Sequence, residues 1–281
     1  MIAKVLNYIK KNWKRLLIYA ILIVVTFIFL LPIWVALVTS LKPWAEIGTT
    51  NPLAPPRSPT LEAYGEAIEK LGRPLLNSLV FTTGAVLCSI IIGSWMGYVF
   101  SKQKFRYKEL LFMVLVAGTF LPYTTIVFPL FRTMSELNLT YTLPGMVFVH
   151  TVYGIPICTL LFRNFYTHIP DKKIRELKKR KASDWEIYRK VILPASKPAI
   201  ISVMIYQFTS IWNDFLFGLV LGGVESQAMP VTVGLFGMMG GLAKWNLFMA
   251  GAILTVSPLL VIYVLLHRYF MMAIMEEEEA H

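Results

Sequence analysis

Charge is scarce in this chain, and acidic charge is scarcest inside its apolar stretches. Only 15% of the 281 residues are charged, against about a quarter in an ordinary soluble domain, and the mean hydropathy is +0.61. The deficit excludes a conventional soluble domain and implies that much of the surface faces lipid. Among the acids, Asp214, beside Asn213, is the one real intramembrane candidate, whereas proton- or sodium-coupled carriers ordinarily need ionisable residues along the path. Cysteine is reduced to Cys88 and Cys158, both in apolar runs, which gives neither a disulfide framework nor a metal site. The four histidines, His150, His168, His267 and His281, lack ligand spacing, so no metal is expected. No H-E-x-x-H helix and no G-x-x-x-x-G-K-[ST] phosphate loop occurs. The chain is therefore not expected to be an enzyme or to bind a cofactor of its own. If it moves a solute, the energy comes from a partner.

What the sequence does have is apolar length. A hydrocarbon core about 30 Å thick needs roughly 20 apolar helical residues. Six stretches qualify: Leu16–Val38, Leu75–Phe100, Leu110–Phe131, Leu143–Phe162, Pro198–Leu221 and Leu247–Phe270. The first is longer than the apolar core of a signal peptide and has no convincing small-residue cleavage site after it, so it is expected to stay. Pro32, Pro122, Pro129, Pro156 and Pro258 interrupt or kink the spans, which is tolerated where neighbours or a cavity satisfy the freed backbone groups. Gly93 and Gly97 form a small-xxx-small pair suited to close helix packing.

The formal net charge of +11 is a topology signal rather than a nucleic-acid signal, because basic residues avoid the apolar stretches and gather between some of them. Lys4, Lys10, Lys11, Lys14 and Arg15 precede the first span; Lys102, Lys104, Arg106 and Lys108 lie between the second and third; eleven lie between Arg163 and Lys197; Arg268 follows the last. The opposite side carries Lys42, Arg57, Lys70, Arg73, Arg132 and Lys244. The positive-inside rule then predicts both termini in the cytoplasm of a multi-pass protein of the inner or plasma membrane. The expected external segments are Lys42–Pro74 and Gly222–Asn246, the second rich in glycine (Gly222, Gly223, Gly234, Gly237, Gly240, Gly241).

The segment from Arg163 to Lys197 is the most informative. Pro170 with Asp171 predicts one helix start. Ser183, with Glu186 as a capping-box partner, predicts another, and Pro194 and Pro198 should end that helix and open the fifth span. Two short helices across a membrane mouth make a docking surface; a solvated basic loop held near anionic lipid is the plainer alternative.

Val191-Ile192-Leu193-Pro194 matches the end of the pattern E-A-A-x-x-x-G-x9-I-x-L-P. Ser40-Leu41-Lys42-Pro43, Pro59-Thr60-Leu61-Glu62-Ala63-Tyr64, Asn77-Ser78-Leu79, Gln207-Phe208, Ile211-Trp212-Asn213-Asp214-Phe215-Leu216-Phe217, Met249-Ala250-Gly251-Ala252 and Arg268-Tyr269-Phe270 extend the likeness over nearly the whole chain. Together they resemble the permease subunits of binding-protein-dependent ABC importers, of the carbohydrate class and nearest the maltose-type second permease. The resemblance implies an all-α integral membrane fold, that of a type I ABC importer permease, with six transmembrane helices and cytoplasmic coupling helices between spans 4 and 5. It implies a cytoplasmic arm (1–15), a permease domain (16–270) with its coupling loop (163–197), and a cytoplasmic tail (271–281). It also implies partners: a second permease, two copies of an ATPase subunit that carries ATP and magnesium, an extracytoplasmic solute-binding protein and membrane lipid, with no nucleic acid.

The loop residues expected to couple to the ATPase are Asp171, Arg175, Glu176, Leu177, Lys181, Ala182, Ser183, Asp184, Leu193 and Pro194. Trp212, Asn213 and Asp214 are the candidates for a substrate path or gate, with interhelical hydrogen bonding as the plainer role. The sequence departs from the family where the motif's Glu-Ala-Ala becomes Arg175-Glu176-Leu177 and its glycine becomes Lys181. Glycine supplies positive φ or close approach, so lysine there is expected to fuse the two helices, and coupling is expected to be altered or poor. The rivals are a stand-alone channel or carrier and a membrane enzyme, the latter lacking any polar catalytic set.

Overall fold

The computed structural model describes residues 2–240 and 244–278, with side chains for 12–240 and 244–265. Among the described residues every regular element is helical. The elements are α1 (Ile2–Ser40), α2 (Glu62–Lys102), α3 (Lys108–Ala117), α4 (Tyr123–Glu136), α5 (Leu143–Thr167), α6 (Asp171–Lys179), α7 (Asp184–Ile187), α8 (Leu193–Ala195), α9 (Lys197–Trp212), α10 (Val231–Gly237) and α11 (Trp245–Glu278). Glu279–His281, the end of the expected tail, and Gly241 of the glycine-rich segment lie outside the described residues, as do the side chains of Lys4, Lys10, Lys11, Arg268, Tyr269 and Phe270.

Among the described residues, four helices are long and apolar enough to cross a membrane unaided: Asn12–Ser40, Glu62–Lys102, Leu143–Thr167 and Trp245–Leu265. The count reaches six when each of two bent pairs is taken as one span, Lys108–Phe120 with Tyr123–Glu136 (97°) and Asp184–Ala195 with Lys197–Trp212 (77°). The bends bear on two predicted spans, one at a proline expected to interrupt its span and one that shortens the fifth. The third is interrupted within Leu110–Phe131 at Pro122, one of the prolines expected to interrupt or kink a span. Leu121 is extended (φ −67°, ψ 123°) and Pro122 caps α4, because proline disfavours helical geometry in the residue before it and offers no N–H. The fifth does not run to Leu221. Helix α9 stops at Trp212 after 16 residues, about 24 Å and short of the hydrocarbon thickness.

The chain divides into two units, Met1–Glu69 with Met238–Leu254, and Lys70–Gly237 with Thr255–His281. In the first, Ala63, Ala67, Leu247 and Ala250 form a small core of short side chains. Lys42 is buried, and its ammonium donates to Thr50 Oγ1 (3.0 Å) and the Asn51 carbonyl (2.9 Å). Glu46 Oε1 accepts the Arg57 N–H, and the Thr60 N–H reaches the Leu41 carbonyl. The Ser40–Pro43 and Pro59–Tyr64 segments therefore form one folded collar. From Phe27 to Leu31, helix α1 shows its large apolar side chains outward, as expected of a surface solvated by lipid.

In the second unit α5 is central. An added Cβ at Gly93 would lie 2.5 Å from Cys158 Cβ, and one at Gly97 would lie 2.7 Å from Phe162 Cβ, so the small pair in α2 lets α5 approach as the spacing predicts. Gly154 on α5 meets α9 in the same way, its missing Cβ being the space occupied by the Gln207 amide. Buried Ser94 Oγ shares hydrogen bonds of 2.7 Å with the hydroxyls of Tyr166 and Tyr188, joining α2, α5 and the turn after α7. The glycine-rich segment is anchored in part: Asn77 Nδ2 donates to the Gln227 and Met229 carbonyls, and the Val231 N–H donates to Ser78 Oγ.

Candidate functional site

Two regions of the second unit gather the predicted functional residues. In the segment 163–197, α6 starts at Asp171 behind Pro170 and buries Ile174, with Leu177 packed one turn on, while Arg175 and Glu176 stay exposed. Its polar face carries Lys172, Lys173, Lys178 and Lys179. The chain then breaks instead of fusing. Arg180 ends the helix, Lys181 takes φ 57°, and Ser183 caps α7 by accepting the Glu186 N–H at 3.2 Å. Lysine thus occupies a left-handed conformation that ordinarily favours glycine, and the expected fusion is corrected. The break is held by capping: Arg180 N–H reaches the Leu177 carbonyl, Ala182 N–H reaches the same oxygen, and Ser183 opens the next helix. The Glu186 carboxylate accepts from Lys190 at 2.6 Å, so the Ser183 half of the expected capping box is the half that forms. Pro194 does not end the second helix either; helical backbone runs from Asp184 through a π-turn (Tyr188–Ile192) to Ala195, and the bend falls at Ser196.

The end of α2 grips this segment at both helix starts. Lys102 Nζ contacts Asp171 Oδ1 and the Ile169 carbonyl. Asp184 Oδ1 accepts from Gln103 Nε2 (2.5 Å) and from the Tyr98 hydroxyl (3.3 Å). Lys178 Nζ donates to Gln103 Oε1 at 3.3 Å. Trp185 stacks on Tyr188 (29° between planes) and contacts Trp95, yet is 58% exposed. Lys181, Ser183, Leu193 and Pro194 are exposed, and Ala182 is half-buried. Predicted residues therefore fall into three groups, with Asp171 and Asp184 held, Leu177 and Ala182 packed inward, and Arg175, Glu176, Lys181, Ser183, Leu193 and Pro194 displayed. Trp185 was outside the predicted set; an aromatic next to a capped acidic residue in a charged loop was the available signal.

The second region is a cavity of about 450 Å³ among α4, α5, α9 and the residues just after α9. Of the three predicted path residues it receives Asn213 and Asp214. Trp212 turns away: it is 2% exposed, stacks on Phe208, and its indole N–H donates to the Thr255 carbonyl at 3.1 Å. Asp214 Oδ2 accepts the Gly218 N–H at 3.0 Å, so this carboxylate caps the next helical turn while facing the cavity. His150 on α5 also lines the space. It is 5% exposed, lies parallel to Phe81 (13°), and its Nε2 has no hydrogen-bond partner, standing 3.9 Å from Asp214 Oδ2. Tyr123 and Tyr153 meet Phe217 edge-on at 5.8 and 5.5 Å. Sequence reasoning set His150 aside because a single histidine has no metal spacing; a polar ring in the middle of an apolar span was the overlooked signal.

Comparison with known proteins gives the same direction. Residues 89–274 match the family model "Binding-protein-dependent transport system inner membrane component". The chain is 44% identical over 257 residues to a probable ABC transporter permease protein of Pyrococcus horikoshii, covering 91% of this chain and 93% of that protein. It is 32% identical over 282 residues to the xylose/arabinose import permease protein of Haloferax volcanii, covering 92% and 91%. Its fold is similar to a chain of a bacterial ABC transporter involved in import of the acidic polysaccharide alginate, with a TM-score of 0.81 at 19% identity over 92% of this chain and 98% of that one.

Proposed function

Because the chain belongs to the family of binding-protein-dependent transport system inner membrane components, we propose that it forms half of the solute path of an ATP-driven importer and takes its energy from an ATPase docked on residues 163–197. The solute is a sugar or a related polyol; the xylose/arabinose relative supports that class. A second permease completes the path, two ATPase subunits bind ATP and magnesium, and an extracytoplasmic binding protein delivers the solute. Both termini lie in the cytoplasm, on the side where most lysine and arginine residues gather. On that side fall the arm 1–15, the coupling loop and the tail 271–281, with the path built from 16–270.

One observation carries this reading. The two short helices of the loop are anchored from behind and open in front. Asp171 and Asp184 are tied to Lys102 and Gln103 at the end of α2, while Arg175, Glu176, Lys181, Ser183 and Trp185 face outward. A push on the outer face reaches a transmembrane helix directly, with Leu177 and Ala182 as the packed underside and Leu193-Pro194 leading into α9. The retained break at Lys181 supports coupling through two separate helices, against the altered or poorly coupled permease.

The test is ATPase stimulation in the reconstituted complex by a solute-loaded binding protein. Wild type should be stimulated, and Trp185→Ala should lose most of the stimulation while still assembling. A complex in which Trp185→Ala and the combined restoration of glycine at 181 and Glu-Ala-Ala at 175–177 both leave stimulation unchanged contradicts the assignment of the loop. Solute flux without any ATPase would instead favour a stand-alone channel or carrier.

A further inference from the structure

We propose that the cavity beside α9 holds one ring of an uncharged polyhydroxy solute, with His150 and Asp214 reading a single hydroxyl between them, and that it turns away acidic sugars. The proposal rests on the importer reading and adds to it the charge class of the solute and the residue that reads it.

Three observations carry the inference. The first is the unpartnered His150 Nε2, buried, lining the cavity and 3.9 Å from Asp214 Oδ2. That separation is too long for a direct hydrogen bond. An oxygen placed to one side, about 2.8 Å from each atom, bridges them, and a hydroxyl does so with one donor and one acceptor. A buried polar atom without a partner is costly, and a solute hydroxyl removes that cost when it enters.

The second is the charge of the lining. Asp214 is the one carboxylate, and among the residues that line the cavity there is no lysine and no arginine. With Asp214 ionised, the pair carries a net charge of −1 when His150 is neutral and 0 when it is protonated. Beside a neutral His150, a sugar carboxylate entering this space meets the Asp214 charge with no lysine or arginine to compensate it, which is unfavourable.

The third is shape. Tyr123, Tyr153 and Phe217 form a connected aromatic wall, suited to the apolar C–H face of a sugar ring, and the polar edge of His150, Asp214 and Asn213 takes the hydroxyls. The volume of about 450 Å³ accommodates a ring with some of its hydration.

The experiment is saturation-transfer NMR on the assembled, detergent-solubilised complex without binding protein, using glucose, maltose and glucuronate as probes. Uptake by the same complex, with its binding protein present, is measured in parallel. Wild type should show transfer to glucose or maltose and little to glucuronate. His150→Phe, which keeps the ring against Phe81, should weaken the neutral probe about tenfold, the loss expected for one buried hydrogen bond. Asp214→Asn keeps an oxygen for the Gly218 N–H and removes the charge, so glucuronate should gain transfer toward the level of the neutral sugars, which a merely structural role would not produce. Equal transfer to glucuronate and glucose in wild type, no transfer to either neutral sugar, or unchanged transfer in His150→Phe overturns the proposal. ATP-dependent uptake that persists in any of those cases leaves the importer reading standing, and its absence in wild type is the separate failure of that reading.

Discussion

Lys102 Nζ lies 2.7 Å from Asp171 Oδ1 and 2.7 Å from the carbonyl oxygen of Ile169, so the last residue of α2 holds the first turn of α6. The hydrogen bond from Lys102 is the main reason that the Asp171 carboxyl is held below its ordinary value of 3.8. A depressed carboxyl contributes stability above its unfolded pKa, and that contribution is lost as pH falls below about 3.8 and through the lowered folded value. Asp171 is 55% exposed, which limits the pair to about 1 kcal/mol or less. Asp171→Asn should therefore speed amide exchange over residues 171–179 by up to about fivefold. Acidification through that range should loosen α6 in wild type and add little in the variant. Equal acid sensitivity of the two proteins would remove Lys102 from the role of clamp.

At Lys181 the prediction concerns backbone geometry. An L-residue at φ 57° pays for its Cβ, and a β-branched one pays most, about 1–2 kcal/mol. Lys181→Val should lower the melting temperature of the purified protein, and Lys181→Gly should leave it unchanged or raise it. Stabilisation by valine would mean that the break between α6 and α7 closes readily into helix.

Trp212 stands apart from the cavity that its neighbours Asn213 and Asp214 line. Its indole N–H reaches the Thr255 carbonyl in a dry setting. Trp212→Phe should cost about 1 kcal/mol of stability and leave the KM for transported solute unchanged. A several-fold change in KM with unchanged stability would return Trp212 to the path.

Gly97 is a packing prediction. A leucine there has to enter space where even a Cβ meets Phe162 Cβ at 2.7 Å. Overpacking of this kind costs about 1–3 kcal/mol or more, so Gly97→Leu should reduce folded yield and melting temperature. The same change at Gly72, where an added Cβ has nothing within 4 Å, should be mild.

These residues also show what the sequence made legible. The unbroken spans were readable because a hydrophobic run of membrane length has few other solutions, and the Gly93–Gly97 packing because the four-residue spacing places both on one face. Pro122 breaks its span as expected, but Pro32, Pro129, Pro156 and Pro258, named with it, sit inside intact helices; tertiary surroundings decide which proline breaks the chain. The end of α9 was missed because Ile211 to Phe217 reads as continuous apolar helix around Asp214, whereas that carboxylate caps a new turn. Trp212 was grouped with its neighbours by adjacency, although the buried indole points into α11 and Asn213 and Asp214 lie past the helix end. Lys181 misled because composition reports propensity, and hydrogen bonds from its neighbours overrode it.

The central claim is that a solute crosses only when an ATPase acts on the segment 163–197. Uptake of a radiolabelled sugar, chosen as one that the cognate binding protein retains, should be measured in liposomes holding this chain with its second permease and ATPase, and in liposomes holding this chain alone. The account predicts uptake in the first that requires both ATP and binding protein, falls several-fold in Trp185→Ala, and is absent from the second. Equal uptake by liposomes that contain this chain alone, without ATP, would contradict it.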